Sequence, residues 1–393
     1  MAIQNALGDA KDVVNLLFAK RKSKKETSEL RGEPAIVNIM LAGKTGVGKS
    51  TLINAVFGEN FAKTGIGEPV TEEFDLYEKE GVPLRVYDVK GLELNPAVQK
   101  SIRSQTKKLI RESYKTEDRN DDIHLLWYCI ASDGGRVESV DLDFMRDLAQ
   151  QIDVIPVLTK SYVEENTREL MAYIESKKEL GELSFKSMAP VLAEDMVIDG
   201  KVAKEKFGLK ELTELSYELL PDAQKRAFAA AQKVSEDLKK KAAFTAITIA
   251  SAAAAATGAI PIPVADAAVL VPIQLTMLKG IANVYGVKFK EDDFAKIVAA
   301  AVPGVAVNAG RAAVAGLLKL VPGVGVAVMA VSGTVAAAIT TSLGVAFQKA
   351  LEHRINEVNF DGVLPEEFVE ILRETFSSGL RDMFKDSAEN PKS

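Results

Sequence analysis

Gly43-Lys44-Thr45-Gly46-Val47-Gly48-Lys49-Ser50 follows an apolar run at residues 36–41 and precedes a helical pattern at 52–57. This is the G-x-x-x-x-G-K-S pattern in its strand–loop–helix setting. Gly43, Gly46 and Gly48 let backbone N–H groups turn inward onto phosphate oxygens without Cβ clashes. The start of the following helix adds positive potential at the same place, and Thr51 joins Gly43 to Ser50 as an expected nucleotide-binding residue. Lys49 has the reach for terminal phosphates, and the Ser50 hydroxyl suits a magnesium ion. An incidental glycine-rich turn needs neither every fixed position nor both flanking elements. Phosphate binding is the expectation.

Downstream, the apolar run Leu84-Arg85-Val86-Tyr87 ends in Asp88-Val89-Lys90-Gly91, a D-x-x-G pattern. Asp88 at a strand end can hold magnesium through a water, and the Gly91 N–H can sense a γ-phosphate. Between the two motifs lies Thr64-Gly65-Ile66-Gly67-Glu68-Pro69-Val70-Thr71, read as a mobile loop. Thr71 is the candidate to complete the magnesium shell, with Thr64 as its competitor and an ordinary turn threonine as the plain alternative.

Around these motifs, short apolar runs at 35–42, 73–79, 83–88, 123–130, 153–158 and 189–196 read as strands. Helical patterns stand between them at 50–57, 97–114, 142–151, 164–179 and 209–218. Buried strands alternating with helices imply an α/β fold with a mainly parallel sheet covered on both faces. Gly81-Val82 separates two strand-like runs so closely that they should pair as an antiparallel hairpin at one edge.

Past residue 241 the composition shifts to alanine, glycine and valine, and residues 242–265 and 320–348 carry no charge. An all-α, Ala/Gly-rich C-terminal domain is expected, ending in an amphipathic stretch at 365–384 with Phe368, Ile371, Leu372, Phe376, Leu380 and Phe384 on one face. At the other end, Ile3, Leu7, Val14, Leu17 and Phe18 share a helical face before Lys20, Arg21, Lys22, Lys24 and Lys25. That segment reads either as a packing helix with a solvated basic linker or as a membrane-surface helix with a polybasic end. Asp9, Lys11 and Asp12 interrupt the apolar core that a signal peptide would need. The expected domains are 1–33 (helix and linker), 34–220 (nucleotide site) and 221–393 (helical).

Lys plus Arg number 49 against 55 Asp plus Glu, a net charge of −6, so nucleic acid is not expected as a partner. Cys129 is the single cysteine, which excludes an intramolecular disulfide and a cysteine-based zinc cluster. With His124 and His353 the only histidines, a metal would rely on oxygen ligands. One cysteine fits a cytoplasmic location, with a peripheral position at the inner membrane as the alternative.

Residues 34–200 resemble a bacterial P-loop NTPase G domain of the Era and TrmE type, with some likeness to dynamin-like and immunity-related GTPases. The resemblance rests on the phosphate loop, Pro69-Val70-Thr71, Asp88 to Gly91, Leu126-Trp127-Tyr128-Cys129-Ile130 and Val157-Leu158-Thr159-Lys160. It implies GTP or GDP as ligand and Mg²⁺ as cofactor, with Ser50, Thr71 and Asp88 on the metal and Lys49, Thr71 and Gly91 serving hydrolysis. It also implies that Thr159, Lys160 and Ala193 lie near the base. The family's N/T-K-x-D motif reads guanine through its aspartate, whereas this chain has Thr159-Lys160-Ser161-Tyr162. Glu164 or Glu165 from a shifted loop is the substitute the sequence offers. Leu92 stands where Ras-like enzymes place a water-orienting glutamine, and Gly46 where TrmE-like loops hold potassium with asparagine. Arg136 is the only arginine finger to suggest, and its plain reading is structural. Turnover is therefore expected to be slow unless Glu93, a bound cation, a partner or a homodimer completes the site.

Residues 242–350 resemble a bacterial domain of unknown function that is regarded as membrane-associated, through Thr248-Ile249-Ala250, Pro261 to Asp266, residues 270–277 and 281–285. The uncharged spans are long enough for a bilayer. Pro261, Pro263 and Asp266 oppose permanent insertion, which leaves reversible membrane contact or a soluble helical effector or dimerisation domain. The expected function is a slow Mg²⁺-dependent GTPase whose nucleotide state controls the helical domain. An ATPase or relaxed NTPase, and a membrane-binding scaffold with a vestigial site, are the rivals.

Overall fold

The computed structural model describes residues 35–58, 61, 68–69, 74–90, 92, 95–116, 118–134, 136–257, 265–287, 289, 293–294, 297, 333–354 and 366–389. The expected N-terminal helix, Thr64, Thr71, Gly91 and Glu93 lie outside them. The chain divides into two compact units, Met1–Glu236 and Asp237–Ser393.

The first unit is built on a seven-stranded sheet in the order β2-β3-β4-β1-β5-β6-β7. Its strands are β1 (Val37–Ala42), β2 (Glu68–Pro69), β3 (Phe74–Glu78), β4 (Leu84–Val89), β5 (Leu125–Ala131), β6 (Asp153–Thr159) and β7 (Ala189–Pro190). β1, β4, β5, β6 and β7 run parallel, and β3 is antiparallel to β4 through the expected hairpin. Gly81 takes φ 77° in that turn, where a side chain would be strained. β2, inside the stretch read as a mobile loop, adds a short strand outside β3. The mainly parallel α/β fold is as expected.

Alternation along β5 divides the core between the two faces. Leu126, Tyr128 and Ile130 enter a cluster with Ile102, Leu109, Ile110, Leu142, Phe144, Leu148, Leu170 and Ile174. These come from helices α2 (Pro96–Ser113), α3 (Ser139–Leu148) and α4 (Glu164–Glu179). The Tyr128 hydroxyl donates to Asp141 at 2.7 Å, so this buried ring keeps its polar tip satisfied. On the opposite face Trp127 stacks on Phe57 of α1 (Lys49–Phe57) at 5.8 Å, and its indole N–H donates to Ser216 of α5 (Leu209–Leu219) at 2.9 Å.

Phe228 of α6 (Asp222–Ala231) meets Phe57 edge-on at 6.1 Å, and Lys233 N–H donates to the Val56 carbonyl at 2.8 Å. The sequence reading starts the helical half at 221; α6 packs here on α1, and the compact units part after Glu236.

One expected strand is corrected. The run at 189–196 is not continuous: β7 ends at Pro190, and Met196 opens a separate hairpin of β8 (Met196–Ile198) and β9 (Lys201–Lys204). Asp199 and Gly200, with φ 51° and 75°, make its tight turn.

The second unit is helical in its described residues: α7 (Glu236–Thr257), α8 (Ala265–Val284), α9 (Gly333–Arg354) and α10 (Glu366–Glu389). Small residues let these helices approach closely: a Cβ on Gly344 would fall 2.7 Å from Ile247 and 2.9 Å from Met277. Hydrogen bonds cross the contacts, with Ser251 and Thr341 hydroxyls 2.7 Å apart and Tyr285 O–H donating to Glu352 at 2.8 Å. Phe368, Leu372 and Phe376 of the expected amphipathic stripe are buried, Phe368 edge-on to Phe347 at 6.0 Å. Among the described residues no helix is long and apolar enough to cross a membrane.

Candidate nucleotide-binding site

Parallel order with a switch about the central β1 gathers the carboxyl ends of β1, β4, β5 and β6 at one edge, where open α/β sheets take ligands. Gly43 leaves β1 with φ 140°, and a Cβ there would collide with the Cys129 carbonyl of β5. Only glycine therefore lets the loop begin so close to the neighbouring strand. Gly46 and Gly48 take φ 80° and 97°, and Gly48 is the left-handed residue from which α1 springs. No side chain caps that helix start, which leaves its N–H groups for a ligand.

Lys49, buried at the first turn of α1, folds back to donate to the Gly43 carbonyl at 2.8 Å and the Lys44 carbonyl at 3.2 Å. Its ammonium lies 3.8 Å from Asp88 Oδ1. Ser50 is exposed beside it, and Lys44 pairs with Glu138 at the start of α3.

Asp88 sits in the penultimate position of β4, cross-strand from Asp75. Burial pushes its carboxyl up to about 6; Lys49 opposes the shift and Asp75 adds to it. Lys90, which pairs with Asp75 at 2.5 Å, opposes the shift more weakly than Lys49 does. Asp88 Oδ1 is buried with no hydrogen-bond partner among the described residues. A buried acceptor without a donor costs free energy unless something positive or hydrated meets it. A hydrated magnesium ion fits that atom, and the exposed Ser50 hydroxyl is an oxygen donor of the right class.

At the β6 end, the Thr159 hydroxyl donates to the Val47 carbonyl at 2.5 Å and lies 3.2 Å from the Ile130 carbonyl. Lys160 follows in a left-handed conformation, φ 52°, which is uncommon for a residue with a side chain. Its ammonium is 3.7 Å from Asp133 Oδ2, and the Tyr162 hydroxyl donates to the same oxygen at 3.0 Å. That hydrogen bond, with burial and the carboxylate's charge behind it, raises the Tyr162 pKa. Ser161 N–H donates to the Val191 carbonyl at 3.2 Å and Val191 N–H to the Leu158 carbonyl at 2.7 Å, which brings the segment leading to Ala193 alongside β6. Leu92 is fully buried and presents no group to a water. Cys129 is buried too, its thiol pushed up to about 12, which leaves it inert behind the loop.

The structure thus gathers Gly43 to Ser50, Asp88, Thr159 and Lys160 along one edge. Glu164, one of the two glutamates offered for base reading, is paired at 3.3 Å with Lys204 of the β8–β9 hairpin. Asp133, two residues past β5, belongs to none of the motifs that mark the site in the sequence.

Residues 38–175 match the family described as 50S ribosome-binding GTPase. Residues 222–364 match a domain of unknown function, DUF697. The chain therefore carries a GTP-binding G domain followed by a helical domain whose family has no assigned role. Septin-9 of Rattus norvegicus is 28% identical over 149 residues, 32% of this chain and 26% of that protein. Neuronal-specific septin-3 of the same species is 29% identical over 147 residues, 32% of this chain and 41% of its own length. The chain spans less than half of these curated relatives. Translation elongation factor SelB from Methanococcus maripaludis in its apo form superposes at a TM-score of 0.30 with 22% identity, covering 47% of this chain and 34% of that one.

Proposed function

We propose that this protein is a slow, Mg²⁺-dependent GTPase of the Era and TrmE type, whose nucleotide state biases the helical domain between two arrangements. The supporting observation is the pairing of an open, uncapped helix start behind Lys49 with a buried Asp88 oxygen that has no hydrogen-bond partner among the described residues and lies 3.8 Å from the ammonium. The loop and Lys49 hold the triphosphate, and Ser50 and Asp88, with Thr71, hold magnesium. When bound, the ion neutralises charge between the terminal phosphates. Lys49 offsets negative charge on the transferred group, the Gly91 N–H senses it, and the main-chain ring fixes its position. Leu92 orients no water, so unassisted turnover is slow.

The base lies by Thr159, Lys160 and Ala193. A nucleotide shifts the helical domain only through different affinities for its two states. Phe244 and Ile249, each more than half exposed on α7, support a membrane or partner contact through residues 242–350. A homodimer and a peripheral place at the inner membrane belong to the same reading.

Titration calorimetry with magnesium and GTP, ATP and their diphosphates is the test. GTP should bind more tightly than ATP, and Lys49→Ala should weaken GTP at least about tenfold through loss of a charge-assisted contact. Equal or tighter ATP binding would establish the relaxed-NTPase alternative that Tyr162 motivates. Vesicle flotation that ignores both nucleotide and Lys49→Ala would favour a scaffold.

A further inference from the structure

The sequence leaves the G domain without an acid in the position where its resemblance calls for one, yet the fold brings a carboxylate there from another strand. β5 and β6 pair in register with Ala131 opposite Thr159, so the residues just beyond, Ser132-Asp133 and Lys160-Ser161, face each other across the same edge. Ser132 secures that junction: its N–H donates to the Thr159 carbonyl at 2.9 Å, and its hydroxyl lies 3.2 Å from Ser161 and 3.1 Å from Thr167. Asp133 is therefore carried on a rigid shoulder.

Its Oδ2 takes the Tyr162 hydroxyl at 3.0 Å and stands 3.7 Å from the Lys160 ammonium, while Asn166 donates to its backbone carbonyl at 3.4 Å. The side chain is 28% exposed, and its Oδ1 has no hydrogen bond among the described residues. Tyr162, the residue that breaks the expected motif, thus holds an acid from elsewhere.

The location relative to the phosphates follows from the sheet. Lys49 and Asp88 place the metal and terminal phosphates on the β4 side of β1. The nucleoside then extends the other way, over β5 and β6, which lie roughly 5 and 10 Å from β1. Thr159 ties the β6 end to the phosphate loop through Val47, and Lys160 in its strained conformation sets a long aliphatic stem there. Such strain concentrates at ligand clamps.

A carboxylate offers only acceptors. Guanine presents two adjacent donors on its pairing edge, N1–H and the 2-amino group, whereas adenine presents an acceptor at N1. Resting on the GTP reading above, we infer that Asp133, positioned by Tyr162 and Lys160, is the residue that selects guanine by accepting from N1–H and the 2-amino group. Glu164 pairs with Lys204, 3.3 Å away on the β8–β9 hairpin, whereas Asp133 is the acid that stands 3.7 Å from the Lys160 ammonium.

Asp133→Asn tests the inference, because an amide keeps one acceptor and gains a donor that suits the 2-oxo group of xanthine. Calorimetry with the magnesium salts of GTP, XTP and ATP, and with tripolyphosphate as a baseless probe, gives the comparison in the full chain. Expected are a loss of GTP affinity of about 10- to 100-fold, a gain for XTP, and unchanged tripolyphosphate binding. Tyr162→Phe should weaken GTP less than Asp133→Asn while keeping the guanine preference. Unchanged GTP and XTP affinities, or a loss that extends to tripolyphosphate, would overturn the role of Asp133. Failure of the wild-type protein to bind GTP while it still binds tripolyphosphate would instead sink the GTP reading itself.

Discussion

The Thr159 hydroxyl donates to the carbonyl of Val47 across 112 residues of sequence, and so joins the end of β6 to the middle of the phosphate loop. Both groups are buried, so neither has water as an alternative partner. Thr159→Val keeps the shape and removes the donor, stranding the Val47 carbonyl. A cost of about 1–3 kcal/mol in stability is expected, with weaker GTP binding because the loop loses its brace. Thermal melting and nucleotide titration check this; a melting temperature equal to wild type would show that the hydroxyl braces nothing.

Two of the loop's three glycines, Gly43 and Gly46, differ in what surrounds them. At Gly43 a Cβ would strike the Cys129 carbonyl, backbone that cannot swing away, whereas at Gly46 it would meet nothing within 4 Å. Gly46→Ala carries only the left-handed penalty of about 1–2 kcal/mol. Gly43→Ala adds overpacking against a central strand, about 1–3 kcal/mol more. Melting curves of the two variants should rank them in that order, and the reverse ranking would refute the close approach to β5.

These contrasts bear on what was legible beforehand. The phosphate loop could be read because its residues are contiguous and its flanks announce themselves by apolar runs. The β8–β9 hairpin is hidden when Ala189 to Met196 is read as one strand, although Asp199-Gly200 carries the turn signal. Asp133 could not be found, because its meeting with Lys160 and Tyr162 depends on the β5–β6 register. α6 packs on the first unit through Phe228 against Phe57, a contact between distant residues that local sequence does not announce.

In the helical unit, glycine has opposite meanings at two positions. A Cβ on Gly344 would meet Ile247 and Met277 under 3 Å, while on Gly280 it would rest 3.8 Å from Ala246, an ordinary contact. Gly280→Ala should stabilise by about 0.5–1 kcal/mol through helix propensity. Gly344→Ala should lose that gain to crowding and destabilise by about 1–2 kcal/mol. Circular dichroism melts of the two variants should move in opposite directions; a stabilising Gly344→Ala would mean that α7, α8 and α9 are packed more loosely than described.

His124 gives the first unit a dependence on acid. It is buried at the entry to β5, where its Nδ1 accepts the Asn38 N–H at 3.1 Å and its Nε2 finds no hydrogen-bond partner among the described residues. Burial lowers its pKa from 6.5 to about 4. The unfolded chain thus takes up a proton as pH falls through 6.5, while the folded chain resists until about 4. Stability from this group is complete above pH 6.5 and drains away down to about pH 4, by about 3 kcal/mol in all. His124→Asn keeps an acceptor for Asn38 and removes the titration. Denaturant unfolding between pH 7 and 4.5 should show a shallower loss for the variant, by about 1.4 kcal/mol per pH unit at the steepest. Parallel curves would mean that the imidazole is protonated as readily inside the fold as outside it.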